Sequence, residues 1–107
     1  MNENESINDA VSLLNDHLDI KQTSLELHNT AILNLEILRG KLIEVVHYLL
    51  NNDIQKLLTA VYRIDVSEEK FKSAMENEDI NLISENIADL ILERELKKIE
   101  YRKKYSG

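Results

Sequence analysis

Apolar residues recur every three or four positions through the first half of this chain, which is the spacing of one face of an α-helix. The row consists of Ile7, Val11, Leu14, Leu18, Leu25, Ile32, Leu35, Leu42, Val46 and Leu49, and it is interrupted only at Lys21, His28 and Arg39. No proline occurs among the 107 residues, so nothing in the chain forces a helix to break. Strand-like alternation is confined to a few residues around Leu25. The pattern therefore predicts an all-α fold.

Polar residues with capping spacing divide this row into separate helices. A first helix over about 6–20 precedes Thr23 and Glu26, which have the spacing of a capping box and open a second helix over about 24–50. The alternative is a single helix through 7–50. Such a helix would be about 66 Å long, roughly twice the width of a compact domain of this size, so it would require a second subunit to cover its apolar face.

The second half of the chain predicts two short helices and one long helix. Asp53 is a candidate N-cap for the first short helix, and Asp65 or Ser67 is a candidate cap for another over about 66–77. The last helix extends over about 81–104. The predicted architecture is a small antiparallel helical bundle with long first and last helices, either as a monomer or as a dimeric bundle.

Composition excludes several kinds of functional site. The chain has no cysteine and only two glycines, so a disulfide framework, a Cys-ligated metal, a Cys nucleophile and a Gly-rich phosphate loop are all ruled out. We expect residues 1–5 to be disordered and residues 6–107 to form one helical domain. We expect no secretory signal and no bilayer-spanning segment, and we expect a cytoplasmic protein from a bacterium.

Charge is distributed unevenly along the chain. The net charge is −7, but residues 93–107 contain six basic and three acidic side chains, so residues 1–92 carry −10. The candidate anion-binding residues are Lys97, Lys98, Arg102, Lys103 and Lys104. Cations at the end of a helix are also favoured by the helix dipole. The acidic body disfavours binding to nucleic acid, because phosphates require many cations.

The last helix carries a second apolar stripe, formed by Leu92, Leu96 and Ile99. One stripe is enough for packing in a small bundle. The additional stripe predicts contact with a second subunit, and these three residues are the candidate partner-binding residues. Coverage of the stripe by the N-terminal helix of the same chain is the alternative.

Glu44 and His47 form the one Glu-x-x-His motif in the chain. Di-metal helical bundles use two such motifs together with further glutamates. No second copy is present, so a metal site is disfavoured, and we expect no cofactor and no catalytic residue.

Arg63, Asp65 and Arg94 are the remaining polar candidates. Arg94 lies on the buried side of the last helix, where its stem can pack on the core while the guanidinium pairs with a carboxylate such as Asp65. Whether such a pair is structural or holds a ligand is left open by the sequence.

The segment 62–70, together with 95–98 and 101–105, resembles small uncharacterised helical proteins of bacteria. The resemblance covers roughly residues 50–105. It implies that the connection between the two short helices is a shared feature, and it carries over no activity and no catalytic residue.

These observations predict a non-catalytic helical protein that acts through self-association, as a homodimer, or through contact with another protein. One alternative is an acidic inhibitor or adaptor of a basic partner, which the charge of residues 1–92 would favour. The other alternative is a metal-binding helical bundle centred on Glu44 and His47.

Overall fold

The structure is a computed structural model that describes residues 3–28 and 34–105. These residues form five α-helices and no β-strand, which confirms the all-α class. In chain order the helices are α1 (Glu3–His17), α2 (Leu35–Asn52), α3 (Ile54–Ile64), α4 (Glu68–Met75) and α5 (Ile80–Tyr105).

The central helix is α5, because each of the other four helices packs against it. It has 26 residues and is therefore about 39 Å long, nearly the full 42 Å of the longest molecular axis. The prediction of a last helix over 81–104 is confirmed to within one residue at each end. No helix in the described part of the chain is both long enough and apolar enough to cross a membrane.

The first helix starts earlier than predicted. It begins at Glu3 rather than Ser6, so the expectation of a disordered N-terminus is wrong for residues 3–5; residues 1–2 lie outside the described residues. Acidic side chains in the first turn of a helix are favoured by the positive end of its dipole, and Glu5 supplies one.

Polar contacts show that α1 runs antiparallel to the C-terminal half of α5. Lys103 Nζ lies 3.5 Å from Glu5 Oε2 and 3.6 Å from Asp9 Oδ2, near the start of α1. His17, the last residue of α1, contacts Glu95 two turns earlier on α5. This packing covers the C-terminal half of α5 from within the chain.

The predicted second helix is wrong in its first part. Residues 24–28 form a turn followed by irregular chain, residues 29–33 lie outside the described residues, and α2 begins at Leu35. Thr23 Oγ1 accepts a hydrogen bond from the N–H of Leu25, and Glu26 accepts one from Gln22. The capping-type pair therefore closes a turn in this protein rather than opening a helix.

Asn15 fixes the path of this non-helical segment. Its side chain is buried, donates to the carbonyl of Leu27 at 3.0 Å and accepts from the Leu27 N–H at 2.9 Å. The Leu27 side chain is buried in the core as a result. Because residues 18–28 are not helical, α1 and α2 are separate helices, and the single helix through 7–50 is excluded.

The helices α2, α3 and α4 begin at side-chain caps. Asn34 accepts from the N–H of Ile37 at α2, Asp53 caps α3, and Ser67 caps α4. Asp53 was predicted, and of the two candidate caps for the next helix Ser67 is confirmed. Asp65 instead ends α3 in the left-handed conformation, with φ of 67°, so α4 spans 68–75 rather than 66–77.

A bidentate ion pair joins the N-terminal halves of α2 and α5. Arg39 Nε donates to Asp89 Oδ1 at 2.6 Å, and Nη2 donates to Oδ2 at 3.1 Å. The hydrogen bond and the charge of Asp89 raise the pKa of the Arg39 guanidinium above its usual value. Such a fork geometry fixes the orientation of both side chains.

Candidate functional site

Exposed apolar side chains are concentrated in a few places on the described surface. Three lie on α3, three lie around the connection between α4 and α5, two lie at the end of α5, and one lies on α2. In that order they are Ile54, Leu58 and Tyr62; Met75, Ile80 and Leu82; Tyr101 and Tyr105; and Tyr48. Clustered apolar exposure identifies interaction surfaces better than single exposed residues do.

The residues on α3 form a straight row, because Ile54, Leu58 and Tyr62 are spaced by four positions. Their exposed fractions are 38%, 39% and 86%. We call these three residues the α3 row. Among the described residues, no side chain covers much of the Tyr62 ring.

The α3 row exists because the apolar part of α3 is wider than its buried part. At 100° per residue the apolar side chains occupy about 200° of the circumference, whereas a helix on a core needs a stripe of about 100°. The side chains that face the core are Leu57, Ala60, Val61 and Ile64. The α3 row is the part of the arc that the core does not use.

The α3 helix is held firmly at both ends. Asp53 accepts from the N–H of Lys56 at 3.1 Å, and the ammonium of Lys56 donates to the carbonyl of Asp19 at 3.1 Å. At the other end the N–H of Asp65 donates to the carbonyls of Val61 at 3.1 Å and Tyr62 at 3.2 Å. Asp65 Oδ2 also lies 3.5 Å from Arg94 Nη2 on α5. The α3 row is therefore presented on a fixed helix rather than on a loop.

The stripe of Leu92, Leu96 and Ile99 lies within the chain's own core. Leu92 is 8% exposed and Ile99 is 3% exposed, and Leu96 is partly buried against the core. The prediction that this stripe contacts a second subunit is corrected, because α1 packs along this half of α5 and covers it.

The buried stripe of α5 also holds a charged side chain that sequence reasoning missed. Glu95 is fully buried, and its two carboxylate oxygens lie 3.1 Å and 3.0 Å from Nδ1 of His17. Lys98 Nζ lies 3.8 Å from Oε1. The sequence signal for this pair was a glutamate in the middle of an apolar stripe. Because an unpaired carboxylate in a core is costly, such a glutamate needs a polar partner from another helix.

Arg63 does not join the pair of Asp65 and Arg94. Arg94 is 40% exposed and Asp65 is 82% exposed at the side chain, and their contact is long for a charged hydrogen bond. Arg63 lies in the last turn of α3, exposed, with no carboxylate within 4 Å among the described residues. The three residues therefore form no common ligand clamp.

Carboxylates of the same chain already neutralise part of the basic C-terminal end of α5. Lys97 pairs with Glu93 at 3.1 Å, Lys98 faces Glu95, and Lys103 lies near Glu5 and Asp9. Arg102 and Lys104 have no carboxylate within 4 Å among the described residues. Of the five candidate anion-binding residues, only those two lack such a pairing.

Two tyrosines stack near this end of α5. The ring centroids of Tyr101 and Tyr105 are 4.6 Å apart, and Lys104 Nζ lies 5.8 Å from the centroid of the Tyr105 ring. Both rings are about two-thirds exposed. The two rings contact each other. Arg102 and Lys104 give this end of α5 only a small positive charge with which to bind an anion.

The fold places no further metal-ligating side chains beside Glu44 and His47 among the described residues. Glu44 is exposed and lies 3.9 Å from Lys41, and His47 contacts Asn51 in the next turn of α2. The described residues contain no group of three or more His, Asp or Glu side chains placed to hold a metal ion.

The grooves on the described surface are open and mixed in polarity. Two lie between α4 and α5, one of about 530 Å³ beside Ser73 and Asn86 and one of about 360 Å³ beside Lys70 and Arg94. Another, of about 430 Å³, separates residues 24–28 from α2. None has the apolar enclosure and convergent polar groups of a small-molecule site.

Comparison with models of protein families, with curated proteins and with solved structures finds no match for this chain. The resemblance of residues 50–105 to small helical bacterial proteins therefore stays a prediction. Function is inferred from the geometry alone.

Proposed function

We propose that this protein acts through self-association, with the α3 row as its contact surface. The observation that supports this is the exposure of three apolar side chains in register on a helix that is capped at both ends. A rigid helix face loses little conformational entropy when it binds. Tyrosine is also enriched among the residues that dominate binding energies, and Tyr62 is 86% exposed.

The size of the α3 row determines how strong the contact is. From the exposed fractions, the three side chains present roughly 300 Å². A stable interface buries about 800 Å² on each partner. The α3 row supplies less than half of that area, so we propose a reversible association that depends on protein concentration.

Light scattering coupled to size exclusion tests this proposal. The wild type should increase in average mass as its concentration rises through the micromolar range. Tyr62→Asp should weaken the association about tenfold or more, because a charge replaces a ring that would be desolvated. The substitution should leave the fold intact, since the side chain is exposed.

Thr59→Asp provides the matched control. Thr59 is exposed on the same helix but lies outside the α3 row, so the same charge there should change the association far less. A wild type that stays monomeric throughout, or equal effects of the two substitutions, would contradict the proposed contact surface.

A further inference from the structure

We infer that His17 is a nucleophilic histidine whose Nε2 atom accepts a phosphoryl group from a small phosphoryl donor. The inference is independent of the proposed self-association, because His17 ends α1 and contacts α5. It rests on the pair that His17 forms with the buried Glu95, and no residue of the α3 row takes part in that pair.

The contact with Glu95 assigns the tautomer of the His17 ring. The two carboxylate oxygens lie 3.1 Å and 3.0 Å from Nδ1. An ionised carboxylate only accepts hydrogen bonds, so Nδ1 is the donor and carries a hydrogen. A neutral imidazole has one ring hydrogen, and its other nitrogen, Nε2, then holds an unshared electron pair.

The Nε2 atom is accessible from solvent. The His17 side chain is 24% exposed, whereas the Glu95 side chain beside Nδ1 has no exposed surface. No described residue forms a hydrogen bond with Nε2, and the described part of the chain has no buried side-chain nitrogen without a hydrogen-bond partner. The electron pair of Nε2 is therefore open to a reagent that approaches from water.

Stability alone gives no reason for a polar pair at this point in the core. Apolar side chains of similar size stabilise a core as well as a buried charged pair does, or better. A nucleophilic site, in contrast, requires a group that holds the nucleophile in a fixed orientation. Glu95 provides that orientation for the partly exposed ring of His17.

Cations beside His17 favour an anionic reagent over a metal ion. Lys98 Nζ lies 3.8 Å from Glu95 Oε1, and Arg102 follows one turn later on α5. At 100° per residue these three side chains lie within about 60° of one another around the helix. Arg102 pairs with no carboxylate among the described residues. Two such cations attract the oxygens of a phosphoryl group and repel a metal cation.

A groove between α1 and α5 begins next to this position. It has a volume of about 180 Å³, and Leu13 and Arg102 line it. Leu13 is one turn before His17, so the two lie on the same side of α1. Asp9 also lines the groove, but it is two turns before His17 and lies 3.6 Å from Lys103. Sites for drug-sized ligands have about 300–1,000 Å³, so this groove suits a small donor.

The transfer needs no group beyond the donor and the ring. The electron pair of Nε2 attacks phosphorus, and the bond from phosphorus to the leaving group breaks with its electrons on the leaving group. When the donor is phosphoramidate, the leaving group is ammonia. The ring gains a positive charge as the new bond forms, and the carboxylate of Glu95 stabilises that charge while the hydrogen stays on Nδ1.

Phosphoramidate labelling of the native protein tests this inference. The protein is incubated with potassium phosphoramidate, and tandem mass spectrometry measures how fast each histidine gains a phosphoryl group. His28 and His47 are internal references, because neither contacts a carboxylate among the described residues. His17 should react about tenfold faster than either, because its hydrogen bond to a charged group favours the attack.

Unfolding supplies the control for this comparison. In concentrated urea the three histidines should react at similar rates, because the contact with Glu95 is lost. A native His17 that reacts no faster than His28 and His47 would overturn the inference.

Arg102→Ala and Lys104→Ala are a matched pair that tests the cations. Each removes an exposed cation from the end of α5, but the two positions are about 160° apart around the helix. Arg102→Ala should slow the labelling of His17 several-fold, and Lys104→Ala should leave it unchanged. Diethyl pyrocarbonate is a neutral reagent, so it should modify His17 equally fast in both variants. Equal effects of the two substitutions, or slowing by Arg102→Ala with both reagents, would overturn the role of Arg102.

Glu95→Gln tests the carboxylate, because it keeps the size of the side chain and removes the charge. The labelling of His17 should fall towards the rates of His28 and His47 in the same sample, with helical content unchanged by circular dichroism. An unchanged rate would overturn the role of Glu95. The comparison of the three histidines within the wild type decides the inference even if this variant does not fold.

Discussion

Removal of His17 should reveal the cost of a buried carboxylate in this fold. Glu95 has no exposed side-chain surface, and His17 Nδ1 lies within hydrogen-bond distance of both of its oxygens. His17→Ala deletes that contact and leaves Lys98, at 3.8 Å, as the remaining polar side chain near the carboxylate. Glu95 then stays in the core with its hydrogen bonds unmade.

The magnitude follows from the burial of the pair. Removing the hydrogen-bond partner of a buried polar group costs about 1–3 kcal/mol of unfolding free energy, and more when the group left behind is charged. The His17 side chain is 24% exposed, and Lys98 and water can compensate in part. We therefore expect a loss of about 2–3 kcal/mol at neutral pH, which lowers the melting temperature of a domain of this size by roughly 10–20 °C.

Urea denaturation followed by circular dichroism measures this loss. Lys21→Ala is the control, because it removes an ion pair with Asp16 in which both side chains are about half exposed, and such pairs contribute less than about 1 kcal/mol. The double variant His17→Leu with Glu95→Leu should recover most of the loss, since no buried charge remains. If His17→Ala costs no more than Lys21→Ala, the reasoning about the buried pair is refuted.

Three further substitutions test local features of the fold by the same urea assay. Asn15→Ala should cost about 2–4 kcal/mol, because it leaves two buried backbone groups of Leu27 without partners; a cost below about 1 kcal/mol would contradict that role. Gly40→Ala should stabilise the protein by about 0.5–1 kcal/mol, because a Cβ there meets no atom within 4 Å beyond its own helix backbone; destabilisation would be the contrary result. Asn34→Ala should lower the free energy of unfolding by about 1 kcal/mol through loss of the α2 cap. Asn34→Asp should lower it much less, because an aspartate can also cap the helix; equal losses in the two variants would argue against capping.

Local signals were sufficient for the helices of the second half. Asp53 and Ser67 cap their own helices through hydrogen bonds that span three residues, so the neighbouring sequence contains all that determines them. The bounds of α5 follow in the same way, from a polar turn before a long apolar pattern.

The segment after α1 shows where local signals fail. The hydrogen bonds of Thr23 and Glu26 suit a turn as well as a helix start, so their spacing alone does not distinguish the two. The path is selected by Asn15, which binds the backbone of Leu27 twelve positions away. Such a contact exists only once α1 is formed and has no periodic signature in the sequence.

The proposed association surface could not be located from periodicity for a related reason. Apolar spacing marks both Leu92–Ile99 and the α3 row as candidates for burial, but it does not say which of them another helix of the chain covers. That outcome depends on the length and position of α1. Glu95 and its contact with His17, 78 positions apart, are equally invisible to local reasoning.

Intermolecular paramagnetic relaxation measures the central claim most directly. The chain has no cysteine, so Thr59→Cys places one nitroxide label on α3 beside the α3 row. This labelled protein is mixed with isotope-labelled wild type that carries no nitroxide. Self-association through α3 predicts amide broadening in the isotope-labelled chain that grows with concentration. Absence of broadening throughout the isotope-labelled chain, at concentrations near the solubility limit, would contradict the account.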